Sequence, residues 1–227
     1  REKRGIEVHM GWEATSINRH EKTVLAKNVR GNGEKEFSYD TLMIATGADA
    51  TKPPIGGLDL DGVFTVRNLV DAGKIHSFIS EEKPSKGIII GGGYIGLEMA
   101  EALRERGLDA EIVEMLPQVL NPMDDAITDV VMEELKKHNV PVHLDSRVTN
   151  IIGKDGKVSA VEIEGFEEPV AAEIVILGSG IRPNSQIAKD AGLKVGDLGG
   201  ILVNDRMQTN DPDIYSGGDC VEQYHIV

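Results

Sequence analysis

"KGIIIGGGYIGLEMAEALRERGLDAEIVEM", residues 86–115, is either a nucleotide pocket or a glycine-rich bend between a strand and a helix. A bare GxGxxG does not decide, because glycines gather in turns for local steric reasons. The surroundings do. "GIIIG" is a continuous apolar run of the kind buried in a parallel sheet, and the helix it enters begins inside the glycine motif. Gly91 permits a tight turn, Gly93 lets a pyrophosphate approach the backbone, and Gly96, with Ala100 and Leu103 on the same face, lets helix and strand pack closely. The helix start offers unpaired N–H groups and the positive end of a dipole. The next strand, "AEIVE", ends at Glu114, 23 residues beyond Gly91, where a carboxylate can accept both hydroxyls of an adenosine ribose. The whole unit therefore reads as a dinucleotide site. An added 2′-phosphate would meet Glu114, and no lysine or arginine from Asp109 through Ile127 offsets it, so NADH is expected over NADPH.

Working outward, the pattern from residue 67 alternates strands with helices, as in a parallel sheet covered by helices. Asn68 can cap a helix with an apolar face of Leu69, Ala72, Ile75 and Ile79. Asp124 can cap another, with Ile127, Val130, Val131 and Leu135 on its apolar face, stopped by Asn139 and Pro141. "VPVHL" (140–144) reads as a strand, and "KDGK" (154–157) as a hairpin turn between "RVTNII" and "VSAVEIE". "AEIVILG" (172–178) closes the series as a buried strand. Ahead of this lie short β-rich runs over 6–45, beginning with Ile6–Met10 and turning at "GNG" (31–33), then the connector "ADATKPPIGGLDLDG" (48–62). Pro53 and Pro54 exclude a regular helix or inner strand there.

Composition bounds the function. The chain has 227 residues, 40% of them hydrophobic, enough for one large or two modest domains. A net charge of −14 argues against nucleic acid or an anionic membrane as partner and for small-molecule ligands. No apolar run reaches the roughly 20 residues that span a bilayer. A single cysteine, Cys220, forms no internal disulfide, and a cytoplasmic protein is expected. His9, His20, His76, His138, His143 and His225 show no ligand spacing, so no metal site is expected. Asp124 and Asp125 read as helix-start carboxylates, Trp12 as packing, and no GxSxG nucleophile motif occurs.

Four ordered stretches resemble the pyridine nucleotide-disulfide oxidoreductases, the two-dinucleotide flavoproteins. They are "YDTLMIATGA" (39–48), "GIIIGGGYIGLEMAEALRERG" (87–107), "VILGSGIRPN" (175–184) and "MQTNDPDIYSGGDCVE" (207–222). The likeness is nearest to the branch of coenzyme A-disulfide reductases, NADH oxidases and NADH peroxidases. It implies an α/β fold in which a Rossmann-like NAD-binding domain of parallel sheet, helices and β-meander (67–182) is inserted into part of an FAD-binding domain (1–66 with the linker, and 183–227). Since the chain opens at Arg1 and stops at Val227, it is expected to be an internal piece of a longer polypeptide. The first FAD motif, the redox cysteine and a C-terminal domain that dimerises the parent would lie outside it.

The resemblance also implies residue roles. Ala45, Thr46, Gly47, Gly218 and Asp219 match the FAD cradle, Asp219 matching an acid on a ribityl hydroxyl. Gly91, Gly92, Gly93, Tyr94, Ile95 and Gly96 with Glu114 match the NADH cradle, and Gly180 a backbone contact at the nicotinamide end. Tyr94 matches an aromatic that covers the flavin and swings aside, and Glu98 a carboxylate near the carboxamide; ordinary packing and a solvated helix acid are their alternatives. A buried carboxylate at Asp219 would need its hydroxyl partner to offset desolvation. Ser179 and the run Ser216–Gly217–Gly218 depart from the family pattern, which has apolar or small apolar residues there. Cys220 is expected to be structural, so the chain alone would not complete disulfide or peroxide reduction. Two other outcomes fit the same residues: a flavin reductase serving a ferredoxin, rubredoxin or nitrite-reducing partner, and a non-catalytic NAD-binding module.

Overall fold

The computed structural model describes residues 5–223. His225 and both chain ends lie outside them. By compactness the chain forms two units, Ala50–Ile181 and a second made of 1–49 with 182–227. The sequence boundary at 66/67 therefore moves to 49/50, because the connector is drawn into the first unit. Its strand Val63–Thr65 pairs in parallel with Ile174–Leu177, and Gly62 carries the Val175 N–H bond at 2.8 Å.

The unit Ala50–Ile181 is built on a five-stranded parallel sheet in the order Val63–Thr65, Ile174–Leu177, Lys86–Ile90, Asp109–Val113, Val142–His143. Alternation sends successive side chains to opposite faces. Ile89, Ile112, Ile174 and Ile176 pack under the helices Leu69–Glu82, Tyr94–Glu105 and Asp125–Lys137. Ile88, Ile90, Val113 and Val175 pack on an antiparallel meander whose strands are Val148–Lys154, Lys157–Ile163 and Val170–Ala171. Three layers result, and the central strands are buried on both faces. The hairpin expected at 154–157 is present, with Asp155 and Gly156 both at positive φ, 54° and 81°, as a two-residue hairpin turn requires.

Local chemistry explains the helix ends better than the helix faces. Asn68 caps as expected, its Oδ1 accepting the Val70 and Asp71 N–H groups at 2.8 and 3.1 Å. Asp124 does not: its side chain makes no cap bond, and its carbonyl receives Ile127 and Thr128 instead. Two expected faces also turn. Ile75, Phe78 and Ile79 pack inward, whereas Leu69, six residues earlier and so about 120° around the helix, is 90% exposed, and Ala72 is exposed too. The helix Asp125–Lys137 packs along Thr128, Val131 and Leu135, leaving Ile127 and Val130 in solvent.

The other unit holds an antiparallel sheet of Trp12–Asn18, Thr23–Asn28 and Glu34–Ser38. It also holds two parallel pairs, Leu42–Ile44 with Ile214–Ser216, and Ile201–Leu202 with Val221–Glu222. Ile44, Ala188, Leu193, Ile201, Ile214 and Cys220 form its core. The run Ile6–Met10, expected as a strand, is not one. It joins no ladder among the described residues, and Ile6, Val8 and Met10 are exposed, so alternation alone does not make a strand.

Candidate coenzyme site

Three loops meet at the C-terminal edge of the parallel sheet, where the strand after Gly91 moves to one side of Lys86–Ile90 and Ile174–Leu177 lies on the other. Ligands of open α/β sheets bind at such switch points. The Gly91 N–H donates to Val113 O and the Gly178 N–H to Ile90 O, each at 2.8 Å, which ties the three strand ends together.

Gly91 sits at φ +110°, and a Cβ there would run into the carbonyl of Gly178. A Cβ on Gly96 would run into the carbonyl of Gly91, so the helix lies directly on the turn. Gly93 differs from both. It is the N-cap of Tyr94–Glu105, no side chain bonds the helix start, and a Cβ on it would meet nothing within 4 Å. The first-turn N–H groups thus open onto free space, which fits a pyrophosphate.

Glu114 is 8% exposed, just past the strand Asp109–Val113. Its Oε2 accepts the Gly92 N–H at 2.5 Å and its Oε1 the Leu116 N–H at 2.8 Å. Spacing placed an acid here but did not show that it clasps the glycine turn to the following loop. Each carboxylate oxygen keeps a second acceptor position, so two ribose hydroxyls can still be taken. Glycine cradle, uncapped helix and carboxylate together fit a dinucleotide.

Tyr94 opens the helix with 60% of its surface exposed, so packing does not account for it within this chain. Glu98, one turn on, is exposed, as a solvated helix acid would be. Gly180, at φ +97°, accepts the Thr51 N–H at 2.9 Å, and Ser179 Oγ donates to Thr51 O at 2.9 Å. That bond gives a use to the hydroxyl that departs from the family pattern.

In the other unit, Leu42–Ile44 and Ile214–Ser216 run parallel and in register, so Ala45–Thr46–Gly47 and Gly217–Gly218–Asp219 leave the same edge. Gly217 N–H and Ser216 Oγ both donate to Ile44 O, at 3.1 and 3.0 Å. Ser216 is fully buried but satisfied. Thr46 Oγ1 donates to Asn184 O at 2.5 Å, and the Asn184 N–H to Gly47 O at 2.9 Å. Asp219 is exposed, not buried as the desolvation argument assumed, because Gly218 turns at φ +79° and carries it outward. Such a carboxylate is available to a hydroxyl without being compelled to one. Cys220 is wholly buried. Burial pushes its thiol up, and hydrogen bonds with Ser216 and Thr46 outweigh that and bring it below the usual range.

One cluster had no signal in the sequence. Glu111 accepts Lys86 Nζ at 2.6 Å and pairs with His143 Nε2 at 2.9 Å, and His143 meets Phe166 edge-on at 5.2 Å. The three residues are far apart in sequence and meet only because adjacent parallel strands set them side by side. Burial pushes the Glu111 carboxyl up, but Lys86 and His143 outweigh it and leave it lowered. A carboxyl lowered on folding stabilises above its unfolded pKa of about 4.3 and loses that contribution as pH falls through the folded value. The gap in urea midpoint between the wild type and Glu111→Gln should therefore narrow between about pH 5.5 and about pH 3; a constant gap would contradict the ion pairing.

The pyridine nucleotide-disulphide oxidoreductase family matches residues 1–227. An NADH oxidase of Methanocaldococcus jannaschii is 43% identical over 222 residues, 97% of this chain and 49% of that protein. An NAD(P)H coenzyme A polysulfide/persulfide reductase of Pyrococcus horikoshii is 36% identical over 226 residues, 99% of this chain and 49% of that one. Among solved structures, an NAD-dependent persulfide reductase from A. fulgidus superposes with a TM-score of 0.90 at 39% identity, covering 96% of this chain and 40% of that one. The chain spans about half the length of the curated relatives it matches. No helix of the described residues is long and apolar enough to cross a membrane. A glycine turn clasped by a strand-end acid, in a chain that the family model matches over residues 1–227, places the chain in the pyridine nucleotide-disulphide oxidoreductase family.

Proposed function

We propose that this chain supplies the NADH site and part of the FAD cradle of a cytoplasmic, FAD-dependent NADH oxidoreductase. Its electrons pass to a disulfide such as coenzyme A disulfide, to a peroxide or to oxygen, and the parent enzyme is a homodimer. The observation that carries this is the uncapped helix start beside the buried Glu114 clasp, an arrangement with room and charge for one class of ligand. The N–H groups of Gly93, Tyr94 and Ile95 hold the pyrophosphate, and Glu114 takes the adenosine ribose. Tyr94, exposed at the mouth, moves to admit nicotinamide; Glu98 lies one helical turn on to face the carboxamide, with the Gly180 backbone alongside. Thr46, Gly47, Gly218 and Asp219 stand at a second strand edge as a flavin cradle, with the Asp219 carboxylate open to a ribityl hydroxyl. Bound FAD supplies the two-electron carrier between coenzyme and acceptor. Buried Cys220 offers no acceptor with a route to its sulfur, so the redox thiol belongs to another part of the polypeptide.

The test is anaerobic addition of NADH to the full-length flavin-loaded polypeptide. Loss of the visible flavin absorbance is expected, and an unchanged spectrum would end the proposal.

A further inference from the structure

A groove of about 670 Å³ runs between the helices Tyr94–Glu105 and Asp125–Lys137. Its floor is apolar, from Leu97, Val131, Leu135 and Val140.

The rim is unbalanced in charge. Its basic groups are already engaged: Arg104 by Asp109 and the Leu108 carbonyl, Lys137 and His138 by Glu134. Glu98, Glu101 and Glu105 are exposed and have no ion-pair partner among the described residues. Their spacing of three and four residues stacks them on one helix face, where like charges repel. Such a stripe weakens its own helix and gains nothing from the fold. A cationic occupant would reverse that cost.

The dimensions and chemistry limit what the occupant can be. From Tyr94 to Glu105 the wall is about 16 Å long, three helical turns. Small-molecule sites need convergent polar groups to orient the ligand, and this floor supplies only apolar side chains. A second copy, with 38 acidic against 24 basic residues, is a poorer source of a cationic face than a basic partner. We propose that the groove docks a basic amphipathic helix of about three turns from another protein, with apolar side chains on the floor and lysine or arginine over Glu101 and Glu105.

The probe is a fluorescein-labelled helical peptide with leucine at i, i+3, i+4 and i+7 and lysine on the flanks, beside a twin with glutamate for lysine. Titrated with the full chain, the lysine peptide should saturate in anisotropy and the glutamate twin should not. The double variant Glu101→Lys/Glu105→Lys, shown folded by circular dichroism, should bind the lysine peptide roughly tenfold more weakly. Added salt should also weaken wild-type binding. Amide exchange should slow in both 94–105 and 125–137 when the peptide is bound. Equal binding of the two peptides, an unchanged affinity in the folded double variant, protection elsewhere, or a self-dimer that the double variant dissolves would each overturn the proposal.

Discussion

Gly96→Ala should unfold the coenzyme turn, whereas Gly93→Ala should leave the fold intact and still weaken coenzyme binding. The contrast follows from what each new methyl group meets. At Gly96 it runs into the carbonyl of Gly91, a residue whose own N–H is bound to Val113 O, in a turn held also by the Gly178 N–H bond to Ile90 O. Overpacking of this kind costs about 1–3 kcal/mol even where side chains can yield, and here the obstacle is backbone. Against a typical margin of about 5–15 kcal/mol, a clear fall in urea midpoint is expected. At Gly93 the backbone is extended at φ −78° and the space is open, so stability should change little. The same methyl then stands over the helix N–H groups and keeps a phosphate from the close approach they need, and NADH affinity should fall about tenfold or more. Equal stability loss in both variants would contradict the division of labour among the glycines.

Glu114→Gln should cost NADH affinity heavily and narrow the discrimination against NADPH. The wild-type carboxylate accepts from two backbone donors, Gly92 N–H and Leu116 N–H, through different oxygens. An amide of the same shape has one acceptor oxygen, so its NH₂ faces one of those N–H groups donor to donor. Leaving a buried donor unpaired costs about 1–3 kcal/mol, and the ribose loses one of its acceptors as well. Together these predict a loss of about 10- to 100-fold in NADH affinity. NADPH should suffer less, because removing the negative charge also removes its repulsion from a 2′-phosphate. Glu114→Arg, the substitution that the ribose contact alone would suggest, is the poorer switch. It breaks both backbone bonds in a site 8% exposed and so confounds specificity with a loosened loop.

Much of the geometry of the candidate site was legible in the sequence because its parts are contiguous. Strand, turn and helix share one stretch, and the steric needs of Gly91 and Gly96 arise within a few residues or from the neighbouring strand. Features that depend on partners far along the chain were not legible. The clasp of Glu114 on Gly92, the meeting of Lys86, Glu111 and His143, and the capture of Val63–Thr65 by the central sheet all require knowing which strands lie side by side. The helix faces failed for a different reason. Apolar residues at Leu69, Ala72, Ile127 and Val130 satisfy the helical period, but the period leaves a phase uncertainty of one residue, and packing chose the other phase. Ile6–Met10 had the alternation of a strand and joins no ladder among the described residues.

The most direct measurement is calorimetric titration of the purified chain with NADH and, separately, with NADPH, without added flavin. The residues proposed for the nicotinamide-coenzyme cradle all lie in Ala50–Ile181, so the chain should bind NADH on its own and NADPH more weakly. No heat of binding with either coenzyme, or NADPH bound as tightly as NADH, would contradict the assignment of Gly91–Gly96 and Glu114 as the coenzyme clasp.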